Sequence, residues 1–158
     1  MVELRTPEDT LAFGERVGGL MAAGDLVLLA GPLGAGKTVV AKGIAAGLGV
    51  RGRVSSPTFI IAREHPAGDR GVPMVHVDAY RLGGDLSQLD DLDLDTELVA
   101  AAVVIEWGEG AAERLNSDHL LIRLTRRADD TREAVLEPAG TWVERIEALS
   151  VRPAEPAS

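Results

Sequence analysis

The chain lacks cysteine and has few aromatic residues, and both absences narrow the kind of protein it can be. Its 158 residues include no cysteine, so a disulfide framework and a thiolate metal site are both excluded. Only 3% of the residues are aromatic although 46% are hydrophobic, so the core must consist mainly of leucine, valine, isoleucine and alanine. This length suits one domain. We predict a single domain over residues 1–150 and a flexible tail over 151–158, where two prolines stand among small residues.

Long apolar segments and an excess of positive charge are also missing. No apolar run approaches the roughly 20 residues of a membrane-spanning helix, and residues 1–10 do not resemble a signal peptide. We therefore expect a cytoplasmic protein that does not associate with a membrane. The formal net charge of −9 argues against strong nucleic-acid binding by this chain alone, because such binding depends on Lys and Arg neutralising phosphates. The arginines between residues 123 and 132 are consistent with either a local basic patch or an ordinary solvated surface.

A complete phosphate-binding motif is the strongest feature that the chain does have. Residues 31–38 read Gly-Pro-Leu-Gly-Ala-Gly-Lys-Thr and match the P-loop spacing, between a predicted strand at 26–30 and a predicted helix at 39–48. Its glycines bring backbone N–H groups close to phosphate oxygens, and the helix N-terminus favours an anion. Lys37 is expected at the β- and γ-phosphates and the Thr38 hydroxyl at Mg²⁺. The candidate nucleotide-binding residues here are Gly31, Leu33, Gly34, Ala35, Gly36, Lys37, Thr38 and Val39.

Two carboxylates follow apolar runs that read as buried strands. Asp78 comes after the run at 74–77, and Glu106 comes after the run at 103–105. Ligands of open α/β sheets bind beyond the carboxyl ends of the strands, so both acids are expected near the P-loop. Mg²⁺ prefers oxygen ligands, and hydrolysis also needs a group that orients water. We predict Asp78, Glu106 and Lys37 as catalytic residues, with Thr38 and one or both acids at the metal; which acid holds the metal stays open.

The remaining pattern predicts an α/β fold. Thr6 is expected to cap a helix that runs to about residue 23, and Gly47 and Gly49 are expected to stop the helix after the P-loop. Further strands are predicted at 59–62, 120–124 and 132–136, the last two antiparallel, and a last helix at 141–149. We expect a three-layer P-loop NTPase-like sandwich with a mostly parallel central sheet and late antiparallel strands. The first helix is predicted to turn Leu11, Phe13, Val17, Leu20 and Met21 inward.

Three further residues have two interpretations each. Thr58, in Ser-Pro-Thr, is either a switch that senses Mg²⁺ and the γ-phosphate or part of an ordinary proline turn. Trp107 either stacks near the nucleotide or fills the core. His76 alternates with apolar residues, so we expect a hydrogen-bonded core histidine rather than a catalytic one. No guanine-reading Asn-Lys-x-Asp motif is present, which favours ATP over GTP.

Four segments together resemble one family. Residues 31–38, 56–59, 76–82 and 106–107 resemble, in order and spacing, the TsaE (formerly YjeE) ATPase of tRNA threonylcarbamoyladenosine biosynthesis. The similarity runs from about residue 6 to about residue 136. Its most specific parts are His-Val-Asp-Ala-Tyr-Arg-Leu at 76–82 and Glu-Trp at 106–107. Gly108 departs from the proline that many relatives have there.

The resemblance implies a P-loop ATPase that binds ATP and Mg²⁺ and is weakly active alone. Two partners are implied, a transferase (TsaD-like) and its inactive paralogue (TsaB-like), in a complex that modifies the adenosine next to the tRNA anticodon. The tRNA is contacted only through that complex, which ATP hydrolysis resets. By position, Lys37 and Thr38 serve phosphate and Mg²⁺, Asp78 and Glu106 serve hydrolysis or the metal, and Thr58 and Trp107 serve as switch and nucleotide neighbour. A P-loop small-molecule kinase and a nucleotide-gated binding module are the alternatives.

Overall fold

A computed structural model describes residues 2–32, 35–50, 62–78, 100–106 and 118–150. The predicted tail, Leu33, Gly34, Thr58 and Trp107 lie outside these ranges, as does the side chain of Asp78. The described elements are β1 (Val2–Leu4), α1 (Pro7–Leu20), β2 (Leu26–Ala30), α2 (Lys37–Leu48), β3 (Ala62–His65), β4 (Met74–Asp78), β5 (Ala102–Glu106), β6 (His119–Arg126), β7 (Arg132–Ala139), α3 (Trp142–Arg145) and α4 (Glu147–Ser150).

The strands of the described ranges form one seven-stranded sheet in the order β1-β7-β6-β2-β5-β4-β3. The four central strands, β6, β2, β5 and β4, are mutually parallel. The β1–β7, β7–β6 and β4–β3 pairs are antiparallel. The predicted α/β class, with a parallel centre and late antiparallel strands, is confirmed. The edge strand β1 was not predicted, because a three-residue strand shows no periodicity.

The two middle strands, β2 and β5, are buried on both faces, which the predicted layered arrangement requires. Every residue of β2 and β5 is buried, and such strands read as continuous apolar runs rather than alternating ones. On one face, Val27 and Val104 belong to the same core cluster as Phe13 of α1 and Ile44 of α2. The helix that carries the P-loop therefore packs directly on the sheet. Among the described helices, none is long and apolar enough to cross a membrane.

Helices α1 and α2 approach each other more closely than ordinary side chains would allow. A Cβ atom on Gly18 would lie 2.2 Å from the Ile44 carbonyl oxygen, and one on Gly47 would lie 2.2 Å from that of Glu15. The prediction that Gly47 ends α2 is therefore wrong: this glycine lies inside the helix, where it makes room for α1. Gly49, with φ +74°, caps the helix as predicted.

The first helix starts as predicted and ends early. Thr6 accepts a hydrogen bond from the Asp9 N–H and forms a capping box with it. The helix stops at Leu20 rather than near residue 23. The Asp25 carboxylate accepts a hydrogen bond from the Ala22 N–H, and the chain leaves the helical path there. Leu11, predicted to face the core, is exposed.

The C-terminal segment forms two short helices, α3 and α4, where one helix was predicted. Trp142 and Leu149 are buried as predicted. The guanidinium of Arg145 binds both carboxylate oxygens of Asp25 at 2.7 and 3.0 Å and lies 4.4 Å from the Trp142 ring centre. These contacts attach the segment to the start of β2.

Candidate functional site

The loop between β2 and α2 depends on two glycines. Gly31 has φ +145°, and a Cβ on it would lie 2.4 Å from the Leu124 carbonyl oxygen of β6. Gly36 has φ +105° and is the N-cap of α2, in the left-handed region that favours glycine. No side chain caps the first N–H groups of α2. The loop therefore leads into an uncapped helix N-terminus, which is a favourable place for an anion.

Lys37, the first residue of α2, is buried beneath this loop. Only 6% of its surface is exposed. Its ammonium donates to the carbonyl oxygen of Gly31 at 2.5 Å and to that of Pro32 at 3.3 Å. A buried ammonium needs such partners, and these two hold it at the start of the loop. Ala35 is buried, and Thr38 and Val39 are partly buried.

A cavity of about 350 Å³ opens beside Gly36 and Val39. Three segments line it: residues 5–10 before and within α1, the start of α2, and the end of the β6–β7 hairpin. Its lining residues are Arg5, Thr6, Pro7, Thr10, Gly36, Val39, Arg126, Asp130 and Arg132. Three arginines against one aspartate make its walls positive.

Arg132 is the arginine nearest the P-loop glycine. A Cβ on Gly36 would lie 3.8 Å from Arg132 Nε. The Arg132 guanidinium also donates to the Asp130 carbonyl oxygen at 2.5 Å, and Arg126 binds the Asp130 carboxylate at 2.6 and 3.0 Å. Sequence reasoning noted the arginine cluster but did not connect it with the P-loop. Only the strand order, which places β6 beside β2 and β7 beside β6, makes that connection.

Glu106 ends β5 at the same sheet edge. The register places it opposite Leu29 of β2 and Asp78 of β4. It shares its sheet face with Val104 and Val27, which pack toward α1 and α2. The prediction that Asp78 and Glu106 reach one edge with the P-loop is thus met by the backbone of both residues. Of the two carboxylates, the structure describes only that of Glu106.

The Glu106 carboxylate is buried and bound to His76. Glu106 Oε2 lies 2.5 Å from His76 Nε2, and the two side chains are 6% and 0% exposed. The sequence predicted a hydrogen-bonded core histidine at position 76, and this is confirmed. Within the described ranges, no group of three or more His, Cys, Asp or Glu side chains forms a metal site.

A strand, a glycine loop and a helix with a buried lysine at its start, at the carboxyl edge of a parallel sheet, define a P-loop protein of the α/β class. The family model described as "Threonylcarbamoyl adenosine biosynthesis protein TsaE" matches residues 4–134. The chain therefore belongs to the TsaE family, as its motifs indicated.

Similar proteins agree with this assignment. The chain is 54% identical to a protein of Streptomyces coelicolor named "tRNA threonylcarbamoyladenosine biosynthesis protein TsaE", and the match covers 77% of this chain and 82% of that relative. In Mycobacterium tuberculosis the identity is 58%, over 80% of each. The crystal structure of YdiB from Bacillus subtilis superimposes with a TM-score of 0.74 and 31% identity, over 94% of this chain and 91% of that one.

Proposed function

We propose that this protein is a Mg²⁺-dependent ATPase that acts with partner proteins in threonylcarbamoylation of the adenosine next to the tRNA anticodon. The observation that carries the proposal is the buried Lys37 of a P-loop at the same sheet edge as Glu106, in a member of the TsaE family. Hydrolysis of ATP is proposed to reset the partner complex between turnovers.

The triphosphate is proposed to bind at residues 31–38. Backbone N–H groups of the loop and of the start of α2 are proposed to bind the phosphate oxygens, with those of Leu33, Gly34 and Ala35 among them. Lys37 is proposed to contact the β- and γ-phosphates. Its ammonium needs little rearrangement for this, since its bonds to the Gly31 and Pro32 carbonyls already keep it at the loop.

The nucleoside is proposed to occupy the arginine-lined cavity. This cavity adjoins Gly36 and Val39, and its volume lies within the range of about 300–1,000 Å³ that is common for small-molecule sites. A guanidinium plane stacks on a flat heterocycle, and Arg132 is the one closest to the phosphate loop. Thr6 and Thr10 line the same wall.

The donor set fits Mg²⁺, which takes oxygen ligands and few protein groups. The Thr38 hydroxyl and the Glu106 carboxylate are proposed to hold it, and Asp78 is proposed as the second acid, at the metal or at the attacking water. When bound, the ion neutralises charge on the phosphate oxygens. Thr58 is proposed as the switch residue, and Trp107 is proposed to lie near the nucleotide.

The partners proposed are a TsaD-like transferase subunit and its TsaB-like paralogue, in the cytoplasm. Family membership supports this, and so does the net charge of −9, which leaves tRNA binding to the partners. Catalysis is proposed to be weak in isolation, because a partner can complete such a site with large rate gains, about 10³-fold or more for an arginine finger. One ATPase domain is proposed over residues 1–150.

Titration of a fluorescent ATP analogue in the presence of Mg²⁺ tests the nucleotide site. Lys37→Ala removes the ammonium and should weaken binding about 30-fold or more, as loss of a buried charged contact of about 2 kcal/mol would. Lys42→Ala is the matched control, since Lys42 lies exposed on the same helix. Normal affinity of the Lys37 variant would refute the site.

Reconstitution tests the wider role. The chain is mixed with TsaD-like and TsaB-like partners, tRNA, ATP and threonylcarbamoyl-AMP, and the modified adenosine is measured by mass spectrometry. We expect repeated turnover with the native chain and none beyond background with Lys37→Ala. Equal turnover with a non-hydrolysable ATP analogue would contradict the resetting role.

A further inference from the structure

The buried pair of His76 and Glu106 is more than the core needs for stability. Along β4 His76 stands between Val75 and Val77, and it pairs with Val104 of β5, while Asp78 pairs with Glu106 at the strand ends. Replacing a buried polar or ionic pair by well-packed apolar residues is often neutral or stabilising, whereas removing one partner is costly. Fold stability alone therefore gives no reason for the pair as a whole, although a buried Glu106 carboxylate, once present, needs a partner.

The geometry points to a role in orienting Glu106. His76 pairs with Val104 in the sheet register, so Glu106 lies two residues further along on the same face and is reached diagonally. Nε2 of His76 lies 2.5 Å from Oε2 of Glu106, and an ionised carboxylate only accepts hydrogen bonds, so the imidazole is the donor to it in that state. Among the described residues, Nδ1 of His76 has no hydrogen-bond partner. Within the described ranges, the imidazole therefore has this one carboxylate as its hydrogen-bond partner.

We infer that His76 is a positioning residue that holds the Glu106 carboxylate in the orientation in which it meets Mg²⁺. This inference rests on the proposed function. With Oε2 bound by the imidazole, the Glu106 side chain cannot turn freely. Its conformational entropy is therefore already reduced in the absence of the ion, and less is lost when the ion binds. Partners of metal ligands that act in this way typically change metal affinity about 10–100-fold when removed.

The test measures the Mg²⁺ concentration at half-maximal enhancement of ATP-analogue binding. His76→Leu fills the space without a donor, and it should raise this midpoint about 10-fold or more while affinity without Mg²⁺ stays unchanged. His76→Gln places an amide N–H near the position of Nε2 and should stay within about threefold of the native midpoint. In a Glu106→Gln background, His76→Leu should add nothing further, because its effect passes through that carboxylate.

Each result has a defined meaning. If the native chain shows no Mg²⁺-dependent binding, the proposed function fails. If the native chain responds but His76→Leu has the native midpoint, or loses affinity equally with and without Mg²⁺, the positioning role is wrong. If His76→Leu does not fold, His76→Asn replaces it: the shorter amide cannot reach Oε2 and should raise the midpoint, whereas equal midpoints for Asn and Gln would overturn the inference.

Discussion

Substitution of Gly43 by alanine tests the close contact that sets the position of the P-loop helix. Gly43 lies in the middle of α2, where a Cβ would be 2.3 Å from the Leu11 carbonyl oxygen and 2.8 Å from the Gly14 Cα of α1. Ordinary van der Waals contact begins near 3.4 Å. Because both obstacles are backbone atoms, relief requires the helices to separate locally by about 1 Å, and rotation of a side chain cannot provide it.

Two opposing terms determine the size of the effect. Alanine in a helix interior is favoured over glycine by about 1 kcal/mol, while overpacking of a close contact costs about 1–3 kcal/mol. A clash with rigid backbone belongs at the upper end of that range, so we expect Gly43→Ala to lower the free energy of unfolding by about 2 kcal/mol. For a chain of 158 residues this corresponds to a fall in Tm of about 4–8 °C.

Gly19→Ala is the matched control for this measurement. Gly19 is also in a helix of this pair, but a Cβ on it would meet nothing within 4 Å. It should gain up to about 1 kcal/mol from helix propensity alone and melt slightly above the native chain. Thermal unfolding followed by circular dichroism compares the two variants. A Gly43→Ala variant that melts at or above the native temperature would refute the close-packing argument.

Three further predictions concern the arginines. Arg132→Ala should weaken binding of the ATP analogue about 10-fold at saturating Mg²⁺, as loss of a stacked guanidinium worth about 1–2 kcal/mol would. Arg145→Ala leaves Asp25 without its bidentate partner and should lower the free energy of unfolding by about 2–4 kcal/mol, while Arg145→Lys recovers only part of it. Hydrogen bonds from Arg127, the larger cause, and from Arg5 hold the pKa of Glu3 below its ordinary value near 4.5. The ionised Glu3 carboxylate therefore stabilises the fold fully above about pH 4.5, and this stabilisation is lost as the pH falls through the folded-state pKa.

The corresponding measurements separate these effects from general damage. For Arg132, a variant that binds the ATP analogue with native affinity would contradict the proposal that the nucleoside binds in this cavity. For Arg145, chemical denaturation should rank native, Lys and Ala in that order of stability, and equal values would contradict the pairing with Asp25. For Glu3, the difference in Tm between the native chain and Glu3→Gln should shrink on going from pH 6 to pH 3, whereas a difference that grows would have the wrong sign.

Contiguous motifs made the P-loop and the strand ends predictable. The spacing of residues 31–38 and the apolar runs before Asp78 and Glu106 each lie within a few residues, and the rule that ligands bind at strand carboxyl ends is general. These local signals placed Glu106 at the end of β5, as the structure has it, whereas α2 begins at Lys37, two residues before the predicted start at 39.

Features that depend on tertiary proximity were not predictable in this way. Gly47 reads as a helix breaker locally, yet its role is to admit the backbone of α1 at Glu15. The arginine-lined cavity joins segments near residues 5, 36 and 132, which meet only because β1, β7, β6 and β2 are neighbours. His76 was predicted to be hydrogen-bonded, but its partner follows from the β4–β5 register alone.

A crystal structure with a non-hydrolysable ATP analogue and Mg²⁺ tests the central claim most directly. We predict phosphates against the backbone of residues 31–38, the base beside Arg132, and the ion between the Thr38 hydroxyl and the Glu106 carboxylate that His76 holds. A nucleotide bound elsewhere on the chain, or an ion that neither Thr38 nor Glu106 reaches directly or through one water, would contradict the account.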